Sequence, residues 1–175
     1  EGATIRGTVK MPGRSNANAV VYLDDAPGLA KTPPAGTVKM DQKDLLFIPH
    51  VLPVVIGTTV EFLNNDDVLH NVYTPSAAGD KFNLGTWPKG QTKKYTFKKL
   101  GEVVLLCNPH PDMEAWVIVT PTVHFATTDK SGAFSIPNVP AGNYVIKVWH
   151  KRYRAPEQKV TVPGGGVTVD FDLKR

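Results

Sequence analysis

Apolar and polar residues alternate with a period of two along much of the chain. Val60 and Phe62 are separated by Thr59 and Glu61, the pattern of a strand with one face buried. Tyr95 and Phe97 alternate with lysines in the same way, which turns the aromatics toward a core and the ammonium groups toward water. The same reading predicts an opening hairpin, with strands at Ala3 to Lys10 and Ala19 to Asp24 across a loop holding Pro12 and Gly13. Further strands are predicted at Thr37 to Phe47 and at Val54 to Leu63 with a bend at glycine, separated by a break at Pro49 to Pro53. Thr92 to Lys98 and Glu102 to Cys107 follow, joined by a tight turn at Leu100-Gly101, and then Ala115 to Thr120. In the last third, turns at 130–132 and 138–142 divide Phe125 to Asp129, Ala133 to Ile136 and Tyr144 to Trp149, after which come Gln158 to Val162 and Val167 to Leu173. No stretch carries a helical amphipathic period, and the fold class is all-β.

Composition supports this pattern, because 15 glycines and 15 prolines in 175 residues supply turns between many short strands. The run DDAPGLAKTPPAG, ending near Gly36, marks a boundary or a long surface crossing. The length allows one large or two small domains with cores that need no disulfide, and a single cysteine excludes an intrachain one. No apolar run approaches the roughly 18 residues of a membrane helix. The start at Glu1 rather than at a methionine predicts a trimmed, soluble, exported product.

The net charge is +4, and part of the excess lies in Lys89, Lys93, Lys94, Lys98 and Lys99. Lysines on a strand most simply discourage edge pairing. Steering of an acidic partner protein is the second reading. Nucleic acid is not expected as a partner, since Tyr95 and Phe97 point inward instead of offering a stacking face.

The chemistry concentrates in Cys107 to Met113, CNPHPDM, which places a thiolate, an imidazole and a thioether in seven residues. A lone cysteine is usually a small apolar residue, but here it follows VVLL and opens a loop in which Pro109 and Pro111 bracket His110. Another histidine, His70, stands upstream in FLNNDDVLHNVY. Two imidazoles and a thiolate in a trigonal plane, with a weak axial thioether, form a mononuclear copper set, so His70, Cys107, His110 and Met113 are the candidate metal ligands. Met113 also reads as core filling, and His50, His124 and His150 read mainly as structural or surface residues, with a second metal site as their alternative.

Four motifs in order carry a resemblance to the cupredoxin family: Phe47-x-Pro49, Gly57-Thr58-x-Val60-x-Phe62-x-Asn64, His70-Asn71-Val72, and Cys107-x2-His110-x2-Met113. The resemblance spans about half the chain. It implies paired Greek-key sheets, the ligands already named, and a role for Asn71 in tying the two ligand loops together. Common blue copper proteins have three or four residues between the last histidine and the methionine, whereas Pro111 and Asp112 alone stand here. The dinuclear site of cytochrome oxidase resembles this shorter ending but needs a second cysteine. The red copper protein nitrosocyanin resembles the Cys-x2-His-Pro run, which leaves Glu114, Asp112 or water as alternatives to Met113.

The phrase TDKSGAFSIPNVPAGNYVIKVWH resembles the carboxypeptidase regulatory-like, or transthyretin-like, β-sandwich, whose opening strand pair is similar to ATIRGTVK and AVVYLD. The expectation is a discontinuous sandwich of residues 1–36 and 122–175 with a cupredoxin of residues 37–121 inserted in it. Insertion at a loop costs little, because closure entropy grows with the logarithm of length. The expected function is one-electron transfer by copper in the periplasm or another extracytoplasmic compartment, with a redox partner protein. Copper storage or delivery, or a red-copper site with an open position and catalytic use, are the alternatives. No His-x-His pair for further coppers, nucleophile triad or P-loop is present, and an electron carrier is expected in preference to an enzyme.

Overall fold

Every regular element among the described residues is a β-strand. The structure is a computed structural model that describes residues 2–75 and 81–175. In chain order the strands are β1 (Ala3–Lys10), β2 (Val20–Leu23), β3 (Val38–Lys43), β4 (Leu46–Ile48), β5 (Val51–Val55), β6 (Thr59–Phe62) and β7 (His70–Thr74). Next come β8 (Phe82–Trp87), β9 (Lys93–Thr96), β10 (Gly101–Leu106) and β11 (Glu114–Thr120). The last third holds β12 (Phe125–Thr127), β13 (Ala133–Val139), β14 (Gly142–Trp149), β15 (Gln158–Val162), β16 (Val167–Thr168) and β17 (Phe171–Asp172). Two compact units result, Glu1–Lys31 with Thr120–Arg175, and Thr32–Val119.

In the first unit, β1 runs between β13 and the short strands β16 and β17, while β2 lies between β12 and β14 with β15 beyond. The opening hairpin therefore does not form. β1 and β2 join different sheets because the segment between them bonds elsewhere: the amides of Asn16 and Asn18 donate to Lys130 and Thr128 carbonyls at 3.1 and 3.2 Å. Ile5, Val21, Leu23, Ile136, Ile146 and Leu173 meet in this unit's core. The Val123 amide donates to the Ala30 carbonyl at 3.0 Å, so within this unit the chain is joined across the points where it departs and returns.

The second unit pairs a sheet of order β4-β3-β6-β9 with one of order β5-β11-β10-β7-β8. Met40, Phe62, Val72, Trp87, Phe97 and Leu105 fill the space between them, each large side chain contributing about 1.5–3 kcal/mol through burial. β9 is an edge strand, with Lys93 and Lys94 exposed on it, Phe97 fully buried just beyond and Tyr95 stacked on Phe82 at 4.0 Å.

Three local expectations change. The strand predicted from Thr37 to Phe47 is a hairpin, β3–β4, turning at Asp44 and Leu45 with φ of 54° and 58°. The sequence offers no glycine there, and the turn is held from outside by the Asp66 carboxylate, which accepts both turn amides at 2.7 and 3.0 Å. The expected break at Pro49 to Pro53 instead carries most of β5. β8 falls where a polar loop is expected, because Asn71 bonds Asn83 and Gly85 across the irregular pairing with β7. The part of that loop at 76–80 lies outside the described residues.

Candidate metal centre

His70 opens β7, and Cys107 follows the last residue of β10. The loop from Cys107 makes two successive turns: the His110 amide donates to the Cys107 carbonyl at 3.2 Å, and the Met113 amide to the His110 carbonyl at 3.0 Å. Such i to i+3 bonds bring every third side chain to the same side, which is why a spacing of two residues between successive candidates serves. Cys107 and Met113 are buried in the same core cluster, His70 is fully buried, and His110 is partly exposed.

The Cys107 Sγ lies 3.7 Å from His70 Nδ1, and the rings of His70 and His110 meet edge to face with centroids 5.1 Å apart. Two donors bound to one metal at roughly 2.3 and 2.0 Å, at an angle of about 110–120°, are about 3.5–3.7 Å apart. The observed separation matches that. Among the described residues no three His, Cys, Asp or Glu side chains stand close enough together to hold a metal ion as they are.

Asn71 joins the two ligand-bearing segments. Its amide donates to Cys107 Sγ at 3.3 Å, its Oδ1 accepts the Asn108 amide at 3.1 Å, and its Nδ2 donates to Asn83 Oδ1 and the Gly85 carbonyl.

Residues 34–120 match the family described as copper binding proteins of the plastocyanin/azurin family. Residues 34–120 form a cupredoxin domain. Residues 110–174 match the carboxypeptidase regulatory-like domain, overlapping the cupredoxin match at its end. Methylamine utilization protein MauL of Methylorubrum extorquens is 35% identical over 60 residues, which cover 34% of this chain and 53% of MauL. The chain thus spans about half the length of that curated relative. Among solved structures, the Cu-containing nitrite reductase of Thermus scotoductus SA-01 is 30% identical, covering 55% of this chain and 25% of its own, with a TM-score of 0.47. A purple cupredoxin from Nitrosopumilus maritimus is 23% identical over 47% of this chain and 99% of its own, with a TM-score of 0.43. A reduced amicyanin mutant is 24% identical over 57% and 97%, with a TM-score of 0.46.

The cofactor of the cupredoxin is copper, and the donors present suit it. The Nε2 of His70 lies 2.7 Å from Asp66 Oδ2. A carboxylate only accepts, so a proton sits on Nε2, and in the neutral ring the lone pair is then on Nδ1, facing the thiol. Burial works against the charge of Asp66, but hydrogen bonds from His70, Leu45 and Asp44 outweigh it and hold its carboxyl at about 2. Burial pushes the Cys107 thiol up, against the amide hydrogen bonds of Asn71 and His110, so metal uptake must displace a tightly held proton.

Asp66 carries no motif, and the only hint of it in the sequence is its place in NNDD, four residues before His70. Of the carboxylates considered as alternatives to Met113, Asp112 is exposed and Glu114 half-buried. The remaining histidines have other surroundings. His50 packs edge-on against Trp116, with centroids 5.5 Å apart, and its carbonyl accepts the Trp116 amide. His150 Nδ1 accepts the amides of Arg152 and Tyr153, and the ring stacks on Tyr153. His124 is buried with its Nε2 unpartnered.

Proposed function

We propose that the chain is an electron-transfer protein whose cupredoxin domain holds one copper through His70, Cys107, His110 and Met113. The observation that carries this reading is the 3.7 Å approach of Cys107 Sγ to His70 Nδ1 between two buried side chains, with the other ring nitrogen of His70 taken up by Asp66. Copper supplies one-electron redox chemistry when bound. The chain's part is to present a soft thiolate with two imidazoles, which serve both oxidation states, and to keep the ligand positions fixed between two packed sheets. The buried Cys107, His70 and Met113 exclude water, while the partly exposed His110 offers an edge to a redox partner.

The cupredoxin is proposed to be inserted in a discontinuous carboxypeptidase regulatory-like sandwich. The pairing of β1 with β13 and of β2 with β12 and β14 supports this, because the N-terminal strands complete both sheets of the C-terminal segment. The proposed location is the periplasm or an equivalent compartment, to be checked by cell fractionation. An acidic redox partner would be steered by the exposed lysines of β9 and the turn after it, and its rate of reaction would fall as salt is added.

The deciding experiment is the visible and electron paramagnetic resonance spectrum with one equivalent of cupric ion. The expected result is an intense thiolate-to-copper band with narrow hyperfine splitting. A weak band with wide splitting would indicate a stronger axial donor or an open position and would overturn the electron-carrier reading.

A further inference from the structure

His70 makes a short polar contact on its far side. Its Nε2 and Asp66 Oδ2 are 2.7 Å apart, with the imidazole fully buried and the Asp66 side chain 10% exposed. The carboxylate is fixed independently of the histidine. Oδ1 accepts the Asp44 amide and Oδ2 the Leu45 amide, both from the turn of the β3–β4 hairpin. The Asp66 amide donates to Asn64 Oδ1, and Asn64 Nδ2 in turn donates to the carbonyls of Val68 and Trp87. Trp87 is the residue opposite His70 in the β7–β8 pairing. The carboxylate is therefore held by the hairpin turn, and the Asp66 backbone is tied through Asn64 to the strand paired with His70.

We propose that Asp66 is a positioning residue for the copper, holding the His70 Nε2–H so that Nδ1 is the metal-facing nitrogen and biasing the site toward the cupric state. This rests on the reading of His70 as a ligand. Two effects act together. An imidazole that donates to a carboxylate is a stronger base at its other nitrogen. A fixed negative charge beside a buried site also favours the ion of higher charge, and burial weakens solvent screening of it. Neither effect is available from the neighbouring Asp67, whose side chain is 91% exposed and paired with Lys89. The same loop thus supplies its own control.

The test has two parts. In the full-length, metal-free wild-type chain, nitrogen-15 resonance of the histidine rings should show His70 protonated at Nε2 and bare at Nδ1. A proton on Nδ1 overturns the proposal without any variant being made. In the copper-loaded protein, Asp66→Asn should weaken cupric relative to cuprous binding by about 10–100-fold, raising the reduction potential by about 59 mV for each factor of ten. Asp67→Asn, which removes the same charge from the same loop, should change that ratio by less than about threefold. A role confined to holding the hairpin would lower the melting temperature of Asp66→Asn and leave the potential in place. That outcome, or equal shifts in both variants, overturns the proposal. If Asp66→Asn does not fold, the wild-type protonation site decides alone. Broadening of the His70 ring signals by cupric ion reads the ligand assignment separately. Broadening without a shift in potential removes only the role of Asp66, whereas absence of broadening removes His70 from the metal site and the proposal with it.

Discussion

Cys107 meets two amides, from Asn71 and His110, and one imidazole, from His70, and it is buried in the apolar core of its unit. That environment penalises a free thiolate and makes the metal the natural counter-charge for it. Cys107→Ser is expected to abolish the thiolate-to-copper band while the barrel remains folded, with stability reduced by roughly 1–3 kcal/mol from burying a hydroxyl in place of the thiol. Absorption and far-ultraviolet circular dichroism check the two halves of that expectation. Asn71 is 1% exposed and serves three segments at once: β7, β8 and the loop after Cys107. Asn71→Ala removes three part-buried hydrogen bonds, to Asn83, Gly85 and Asn108, at roughly 0.5–1.5 kcal/mol each because water can reach these exposed residues. Urea denaturation of the copper-free chain should show a loss of that order, and copper should dissociate faster because the two ligand segments are no longer joined.

The β3–β4 hairpin shows an element whose conformation is imposed by its surroundings. Leu45 is held at a φ of 58°, a left-handed conformation, with its side chain 48% exposed. Left-handed geometry costs a residue with a side chain about 1–2 kcal/mol, and a glycine returns part of that gain as unfolded-chain entropy. Leu45→Gly is therefore expected to raise stability by about 0.5–1 kcal/mol, read from the urea midpoint, without altering the copper spectrum, because the amide that Asp66 accepts is retained. β1 is constrained differently. A Cβ at Gly7 would stand 1.6 Å from the Val169 carbonyl oxygen, so the strand tolerates no side chain where it passes the segment between β16 and β17.

At the scale of the whole molecule, the two units hold separate apolar cores with no residue in common. His124 and His150 both belong to the unit formed by the two ends of the chain. Burial lowers both below the ordinary histidine value of 6.5, and for His150 the nearby charges of Lys151, Arg152 and Arg154 add to the effect. Their folded values are depressed, so their contribution to stability is complete above 6.5 and is lost as the pH falls from there toward the folded values, while the unfolded chain takes up the protons. Acid titration from neutrality is thus expected to lower the melting temperature of this unit. His124→Gln with His150→Gln should flatten that decline over the same range, as followed by calorimetry of the metal-free chain.

The sequence by itself determined the strand content, because period-two alternation is a local property that Val60, Phe62, Tyr95 and Phe97 display without reference to the rest of the chain. It also made the candidate ligands visible, since the soft donor types and the spacing of Cys107, His110 and Met113 can be read along a few residues. Tertiary structure decided the rest. β1 and β2 enter different sheets because the segment between them bonds to residues more than a hundred positions away, at Thr128 and Lys130. The turn at Asp44 and Leu45 exists because a carboxylate from another loop accepts its two amides. The same carboxylate reaches His70 and selects which of its nitrogens faces Cys107. A side chain that acts through contacts with two separate segments leaves no periodic signal in the sequence, because its neighbours are set by how the strands pair and not by where they stand in the chain.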